Sequence, residues 1–253
     1  MGDLADAGGL GGVRKRESAT GHPCSGMGPS ETHEAPGEDA GSGDALGSRH
    51  CPKEEEHSMR YQLSFTSGAL FLSAGPEAAR AYEALGDWPA VRAHLIRNNL
   101  LRARSSATAT RWAREVVQRV QTLQGPELNL MADSTADELS QLMWIAACRR
   151  YDLVGEFAEE VVRERFLLMQ PEVLPEHFDS FFSAKSLWHN ELTSIKDSTL
   201  TKLRSNLFAM LREASLINGA GVIIPALISA RVRSLINQRV PSDVRFFPAR
   251  ESL

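Results

Sequence analysis

Apolar residues recur at three- and four-residue spacing along most of the chain after residue 75, which is the period of an amphipathic α-helix. This pattern predicts helices over 76–85, 87–98, 105–123, 175–188 and 225–240, and further helices that begin at 134, 154 and 197. Strand character is confined to 222–224, 244–247 and, as an alternative to a first helix, 61–72. We therefore expect a mostly α fold with few short strands.

The helix predicted over 105–123 separates its apolar and polar residues most clearly. One stripe at helical spacing consists of Trp112, Val116, Val120 and Leu123. The opposite face carries Arg111, Arg114, Gln118 and Gln121, with Glu115 at its margin. An exposed helix face with arginines and almost no acid indicates a surface for an anionic partner.

The start of this helix has the features of a phosphate-binding site. Ser105 or Ser106 can cap the helix, whose first backbone N–H groups have no partner within the helix. Arginines in and just before the helix would neutralise phosphates, hydroxyls would donate to phosphate oxygens, and Gln118 could reach a base edge. The predicted DNA-binding residues are Arg102, Arg104, Ser105, Ser106, Thr108, Thr110, Arg111, Arg114 and Gln118.

Two helical lobes are predicted. Residues 59–126 would form three short helices, the third basic at its start, in the order of a helix-turn-helix module or of an ordinary three-helix unit. Residues 127–253 would form a second lobe with winged-helix-like character, because a helix ending near 211 is followed by the turn 218–221 and a β-branched strand. A weaker second surface in this lobe consists of Lys196, Thr199, Thr201, Lys202 and Arg204.

Composition divides the chain at Met59. Residues 1–58 contain 12 of the 19 glycines, no Phe, Tyr, Trp or Ile, and a net charge of −6. We expect this segment to be disordered, since it cannot bury enough apolar surface to offset its backbone entropy. It could also be an upstream in-frame translation, with Met59 as the natural start. Residues 59–253 have a net charge of about +2, so any anion site depends on local clustering.

Sequence motifs for catalysis and metal binding are absent. There is no glycine-rich phosphate loop, Gly-x-Ser-x-Gly, His-Glu-x-x-His or cysteine pair at metal-ligand spacing. We expect no enzymatic activity, cofactor, metal or small-molecule substrate. The acidic stretch 156–164 is interpreted as a solvated helix face. The lack of a disulfide framework favours a reducing, cytoplasmic location, and the longest apolar run, 219–230, is too short for a membrane span.

Several short segments resemble the BrxA family of bacterial BREX phage-defence systems. They are 59–70 (MRYQLSFTSGAL), Asp87-Trp88, 102–106, 111–116 (RWAREV) and Arg119. The resemblance covers 59–253 and none of 1–58. It implies small, mostly helical, non-enzymatic proteins with two helix-turn-helix-like lobes that bind duplex DNA, and a fold that has been compared with the RNA-binding NusB fold.

Together, the residues and the resemblance favour a DNA-binding accessory protein of a BREX system that contacts mainly the phosphate backbone of double-stranded DNA. The expected partners are DNA and other BREX proteins, with no membrane. Two alternatives remain at this point. One is a protein–protein adaptor that uses the acidic face 156–164 and the aromatic region 178–188. The other is a NusB-like RNA-binding factor, which would usually offer exposed aromatic rings for stacking.

Overall fold

Helices account for nearly all the regular structure in the computed structural model, which describes residues 60–65, 67 and 69–250. They are α1 (Ala74–Leu85), α2 (Trp88–Arg97), α3 (Ser106–Val120), α4 (Gly125–Ala132), α5 (Ala136–Arg150), α6 (Asp152–Phe157), a π-helical turn (Ala158–Arg163), α7 (Glu164–Leu167), α8 (Pro175–Ser186), α9 (Asn190–Thr193), α10 (Asp197–Glu213), α11 (Ala230–Ile236) and a 3-10 turn (Asp243–Phe246). The mostly α prediction is confirmed.

Side-chain caps set the starts of the helices that matter most for the site. The Asp87 carboxylate accepts from the Ala90 amide at 2.9 Å and starts α2, and Ser105 Oγ accepts from the Thr108 amide at 3.3 Å and starts α3. Gly86 ends α1 in the left-handed conformation, with φ at 65°, so α2 turns back against α1 at once. These local signals hold α1, α2 and α3 in mutual contact.

The core centres on α5. Every residue from Leu142 to Cys148 is buried, so this helix is enclosed on all sides. Helix α3 packs on one flank, and the C-terminal 3-10 turn closes another, where Trp144 Nε1 donates to the Phe246 carbonyl at 2.9 Å. A single hydrophobic cluster runs from Tyr61 to Ala249. It draws on both predicted lobes, whose existence as separate folding units stays a prediction.

Close approach of the C-terminal turn to the core depends on one glycine. A Cβ at Gly155 would lie 3.0 Å from the Cys148 carbonyl oxygen and 3.1 Å from the Phe246 ring. Beside it, Arg149 donates to both Glu127 carboxylate oxygens, at 2.6 and 2.7 Å, and to Asp243 at 2.6 Å. These side chains are nearly fully buried, so the ion cluster ties α4, α5 and the C-terminal turn together.

Several predicted elements differ from the structure. Val222 and Ile223 form isolated bridges, to Glu172 and Ile217 respectively, and no regular strand occurs in the described ranges. The edge strand predicted over 244–247 is instead a 3-10 turn, and the helix predicted over 225–240 is limited to α11. Of 61–72, the described residues form neither helix nor strand. Without a strand to pair with, the wing of the predicted winged helix is reduced to these two bridges.

Helix α4 was not predicted, because Gly125-Pro126 was interpreted as the end of the first lobe. Pro126 instead occupies the first turn of the helix, where its missing N–H is harmless. The Glu127 carboxylate accepts from the Gln124 amide at 2.7 Å and stabilises the start. The prediction of disorder over 1–58 lies outside the described residues. Among the helices that the structure describes, none is a candidate for crossing a lipid bilayer.

Candidate nucleic-acid interface

The segment from Trp88 to Arg114, which contains α2 and the first half of α3, is rich in arginine and free of acid. It has six arginines and no lysine, aspartate or glutamate: Arg92, Arg97, Arg102, Arg104, Arg111 and Arg114. All six are exposed. None of them forms an ion pair with another residue that the structure describes, so their guanidinium groups are available to an external anion. We call this the arginine surface.

A tight turn between α2 and α3 positions two of these arginines. Asn99 and Arg102 have positive φ, 45° and 50°, and the turn is held by the Asn99 side chain, which accepts from the Ala103 amide at 2.9 Å. The Arg102 amide also donates to the Asn99 carbonyl at 2.9 Å. The turn places Arg102 and Arg104 directly before the N-terminus of α3, where unpaired backbone amides favour a phosphate.

Hydroxyl groups at this helix start are partly used within the helix. Ser105 Oγ donates to Thr108 Oγ1 at 2.9 Å, and Thr110 Oγ1 donates to the Ser106 carbonyl at 2.9 Å. Of the four predicted hydroxyl donors, Ser106 and Thr108 therefore keep a hydroxyl hydrogen for a phosphate oxygen without breaking a contact with a described residue. Of the two serines predicted as caps of α3, Ser105 has this role and Ser106 is the first residue of the helix.

The outward face of α3 carries Arg111 and Arg114, which are exposed, and Gln118, which is partly exposed. The inward face includes Ala113, Val116 and Val120, which lie in the core. Eight residues of the predicted set, from Arg102 to Arg114, thus belong to one continuous stretch, from the turn before α3 to its third turn. Gln118 lies one turn further along and faces α2.

Glu115 was predicted at the margin of the solvent face, and this was wrong. It is buried and accepts from Arg119 at 2.6 Å, while Arg119 also donates to the Ala69 carbonyl at 2.6 Å. The Arg119 guanidinium lies near the rings of Phe71 and Tyr151, at 5.2 and 5.4 Å from their centroids. Burial raises the pKa of Glu115 despite the nearby Arg119.

A groove of about 160 Å³ between α2 and α3 lies within the arginine surface. Its lining includes Trp88, Arg92, Arg114, Val117, Gln118 and Gln121. Trp88 is stacked on Tyr82, with ring centroids 3.9 Å apart and ring planes at 10°. Sequence reasoning did not assign Trp88 or Arg92 to the site. The absence of acid over residues 88–114 was the signal that could have found Arg92.

The second predicted surface is less favourable for an anion. Lys196, Thr199, Thr201 and Lys202 are exposed at the start of α10. Arg204 instead pairs with Asp179, and Asp197 occupies the first turn of the helix. The helix start is therefore partly occupied by acid, which competes with a phosphate for the same charges.

On the acidic side of the molecule, most charges are paired locally. Lys185 bridges Glu156 and Glu160, at 2.6 and 2.7 Å, and Arg245 lies 3.3 Å from Glu159. The aromatic region expected to serve an adaptor is mostly core, since Phe178, Phe181 and Phe182 are buried. Only its end is accessible, because Leu187 and Trp188 are 78% and 81% exposed. No group of three or more potential metal ligands occurs among the described residues.

Comparison with known proteins gives consistent results. The family model BrxA matches residues 59–240. "BREX protein BrxA" of Escherichia coli O9:H4 (strain HS) is 27% identical over 124 residues, which are 49% of this chain and 58% of that protein. The protein of the same name from Paramagnetospirillum magneticum (strain ATCC 700264 / AMB-1) is 28% identical over 120 residues, which are 47% and 60% of the two chains. The matched segment thus spans about three fifths of each relative.

A solved structure shares the fold. The crystal structure of an uncharacterized protein from Magnetospirillum magneticum aligns with a TM-score of 0.66 and 20% identity, and the alignment covers 75% of this chain and 98% of the other. At this level of identity the likeness supports the architecture alone.

Proposed function

The chain belongs to the BrxA family, and we propose that it is a non-enzymatic DNA-binding accessory protein of a BREX bacteriophage-resistance system. The family match and the names of two relatives support the assignment to BREX. In this proposal the protein contacts duplex DNA through the phosphate backbone and acts together with other BREX proteins.

The observation that carries DNA binding is the arginine surface. Six exposed arginines without a described acidic partner lie in this one segment, although residues 59–253 carry a net charge of only about +2. Mutual repulsion among these guanidinium groups is relieved when a polyanion binds, because each contact neutralises a phosphate and releases a condensed cation from DNA. Arginine also suits phosphate because its planar fork can donate two parallel hydrogen bonds.

In this proposal the N-terminal part of α3 determines where the DNA phosphates are bound. Arg102 and Arg104 precede the helix, and Arg111 lies on its second turn, so these groups surround the N-terminus where backbone amides also point outward. Phosphate contacts of this kind fix the position of a protein on DNA without reading its sequence. We therefore expect mainly sequence-independent binding. Four phosphate contacts, from Arg102, Arg104, Arg111 and Arg114, predict a log–log salt slope of roughly −3 to −4.

The test is the salt dependence of binding to a generic labelled duplex, measured with the full chain. Replacing Arg111→Ala and Arg114→Ala together should lower the magnitude of the slope by about 2, one unit for each lost phosphate contact. A matched control is Arg60→Ala with Arg212→Ala, since both arginines are exposed and lie outside the arginine surface. The control should keep the slope of the unaltered protein, and both variants should keep their helical circular dichroism.

Two results would contradict this proposal. Absence of duplex binding at low salt would remove the DNA-binding function itself. An equal fall of the slope in the site variant and in the control would leave DNA binding intact but would reject the arginine surface as its location, since net charge alone would then explain the effect.

A second candidate function is favoured by one observation. Leu187 and Trp188 are adjacent, large, apolar and strongly exposed, in a turn that follows α8. In this second proposal the protein is an adaptor that uses this turn for protein contact, because exposed aromatic residues commonly anchor interfaces. Purified BREX proteins from the same system should then bind the unaltered chain, and Trp188→Ala should weaken that binding while leaving duplex binding unchanged. Retention of full affinity by Trp188→Ala would reject this surface.

A further inference from the structure

The groove between α2 and α3 combines three kinds of group in one small recess. Trp88 supplies an aromatic surface, and Gln118 and Gln121 supply side-chain amides. Arg92 from one helix and Arg114 from the other supply positive charge at the same recess. The volume, about 160 Å³, is well below the roughly 300–1,000 Å³ of sites that hold drug-sized ligands. It suits a single planar ring system.

The side chains that form the recess are held by the fold. Trp88 packs face to face on Tyr82 and follows the Asp87 cap of α2, so its position is fixed from both sides. Val117 is buried and gives the recess an apolar floor. Gln118 and Gln121 project from the last turn and the end of α3, where the backbone is fixed by the core contacts of Val116 and Val120.

These groups match the chemistry of one nucleotide. An indole ring stacks on a nucleobase of any sequence, and an amide can donate to and accept from a base edge at once. Two guanidinium groups beside the recess match the phosphates that flank the base. We propose that the α2–α3 groove binds one unpaired base of a DNA strand whose phosphates lie on the arginine surface. This inference rests on the proposed DNA-binding function.

An unpaired base is required because a base within a duplex presents only its edges in the grooves of the helix. A ring that enters a recess between two protein helices must first leave the stack, and extrusion is least costly where the base has no partner. The protein should therefore prefer DNA with a single-base bulge over the same duplex fully paired. Both DNAs make the same phosphate contacts. The difference in affinity between the bulged and the paired duplex therefore tests the groove, and the affinity for the paired duplex tests the arginine surface.

The experiment measures the affinity of the full chain for two duplexes of equal length, one fully paired and one with a single-nucleotide bulge. We expect the bulged duplex to bind about tenfold more tightly, at the lower end of the contribution of one stacked base. The variant Gln121→Ala should lose most of this preference and keep its affinity for the paired duplex, since Gln121 lines the groove, carries no charge and is not one of the predicted duplex contacts. Its matched control is Gln170→Ala, which replaces an exposed glutamine outside the groove and should keep the preference.

A photocrosslink locates the base directly. With 5-iodouracil at the bulged position, irradiation should attach the DNA to the peptide that contains Trp88, as identified by mass spectrometry. Equal affinity of the unaltered chain for both duplexes, or a crosslink confined to peptides without Trp88, would overturn the groove assignment while tight binding of paired duplex still supports the DNA-binding function. Failure to bind either DNA would overturn both.

Discussion

The two ends of α3 use arginine in opposite ways. At the N-terminal end, Arg111 and Arg114 are exposed and have no described acidic partner. At the C-terminal end, Arg119 is completely buried, pairs with Glu115 and donates to the carbonyl of Ala69. All three lie within nine residues of one amphipathic helix, and neither their residue type nor their spacing predicts which of them is buried.

The difference follows from the carboxylates within reach. A buried guanidinium needs both an ion-pair partner and acceptors for its remaining hydrogens, and Arg119 has both. No acid occurs between Trp88 and Arg114, and the acid that follows, Glu115, is buried and paired with Arg119, so the exposed arginines have no described ion-pair partner. An arginine of the first kind supports the fold, and an arginine of the second kind is available for binding.

The largest expected effect is on stability at the buried end. Arg119→Met should lower the free energy of unfolding by about 3–5 kcal/mol, because it leaves the Glu115 carboxylate buried without its partner. Arg114→Met, on the exposed face, should change it by no more than about 0.5 kcal/mol. Urea denaturation of both variants measures the contrast. Equal stabilities would show that Arg119 and Arg114 do not differ in role.

A double replacement sharpens this result. Glu115→Met/Arg119→Met removes both charges together and leaves similar side-chain volume, so it should recover most of the stability that Arg119→Met loses. Measured by the same urea denaturation, a recovery would assign the loss to the unpaired carboxylate. If the double variant is as unstable as the single one, packing of Arg119 between Phe71 and Tyr151 is the larger contribution.

Two buried glutamates should respond to pH in opposite directions. Burial raises the pKa of Glu115, whereas hydrogen bonds, first from the Thr135 backbone, lower the pKa of Glu138. The native state therefore disfavours ionised Glu115, whose stabilising effect is lost as pH rises above about 4.5. It favours ionised Glu138, whose stabilising effect is lost as pH falls below that value. Relative to the unaltered protein, Glu115→Gln should gain stability with rising pH and Glu138→Gln should lose it.

The check is the unfolding free energy of the three proteins at several pH values between 3.5 and 7, a span of about three units around the ordinary carboxyl pKa. Parallel pH curves for the two variants would contradict the assigned shifts. At the acid end the native Glu115 carboxyl is protonated because its pKa is raised, so Glu115→Gln then reports only the exchange of a carboxylic acid for an amide.

On the acidic side of the molecule, the paired cation Lys185 should contribute little to the stability of the protein and little to its binding of duplex DNA. Lys185 bridges Glu156 and Glu160 but remains partly exposed, so Lys185→Met should cost at most about 1 kcal/mol of unfolding free energy. Its affinity for duplex DNA and its salt slope should equal those of the unaltered protein. A slope that falls by one unit would place a phosphate contact on this face and weaken the contrast with the arginine surface.

The smallest effect is expected from Glu54, Glu55 and Glu56, which precede the described residues. Replacing all three by glutamine removes three negative charges from a segment whose net charge is −6. Duplex affinity at low salt should rise by only about twofold, since charges that do not contact the DNA act through a screened field. The rise should vanish near physiological salt. A tenfold rise would indicate that this acidic run competes directly for the arginine surface.

Local sequence signals predicted the elements that position the site. Ser105 caps α3 and is one of the two serines that the sequence predicted for this role. The cap could be predicted because it joins residues three apart in sequence, and the Asp87 cap of α2 and the Thr135–Glu138 capping box of α5 are of the same local kind. The exposed arginines of α3 followed from its apolar stripe in the same way.

The remaining features depend on contacts between distant segments. Glu115 is buried because Ala69, Phe71 and Tyr151 surround its partner, and no local pattern contains that information. The groove likewise requires the angle between α2 and α3 and the stacking of Trp88 on Tyr82. The predicted wing was also wrong, because strand formation depends on a distant partner segment. The β-branched run at 222–224 pairs only through single bridges.

The C-terminal turn limits how far the protein can be shortened without opening its core. The family model ends at residue 240, yet Val244, Phe246 and Phe247 beyond it are buried in the core. A fragment cut at that boundary would leave the Trp144 indole without its acceptor and Arg149 with one carboxylate instead of two. Loss of DNA binding in such a fragment would then reflect an opened core. The limit of family similarity and the limit of the folding unit are different residues in this chain.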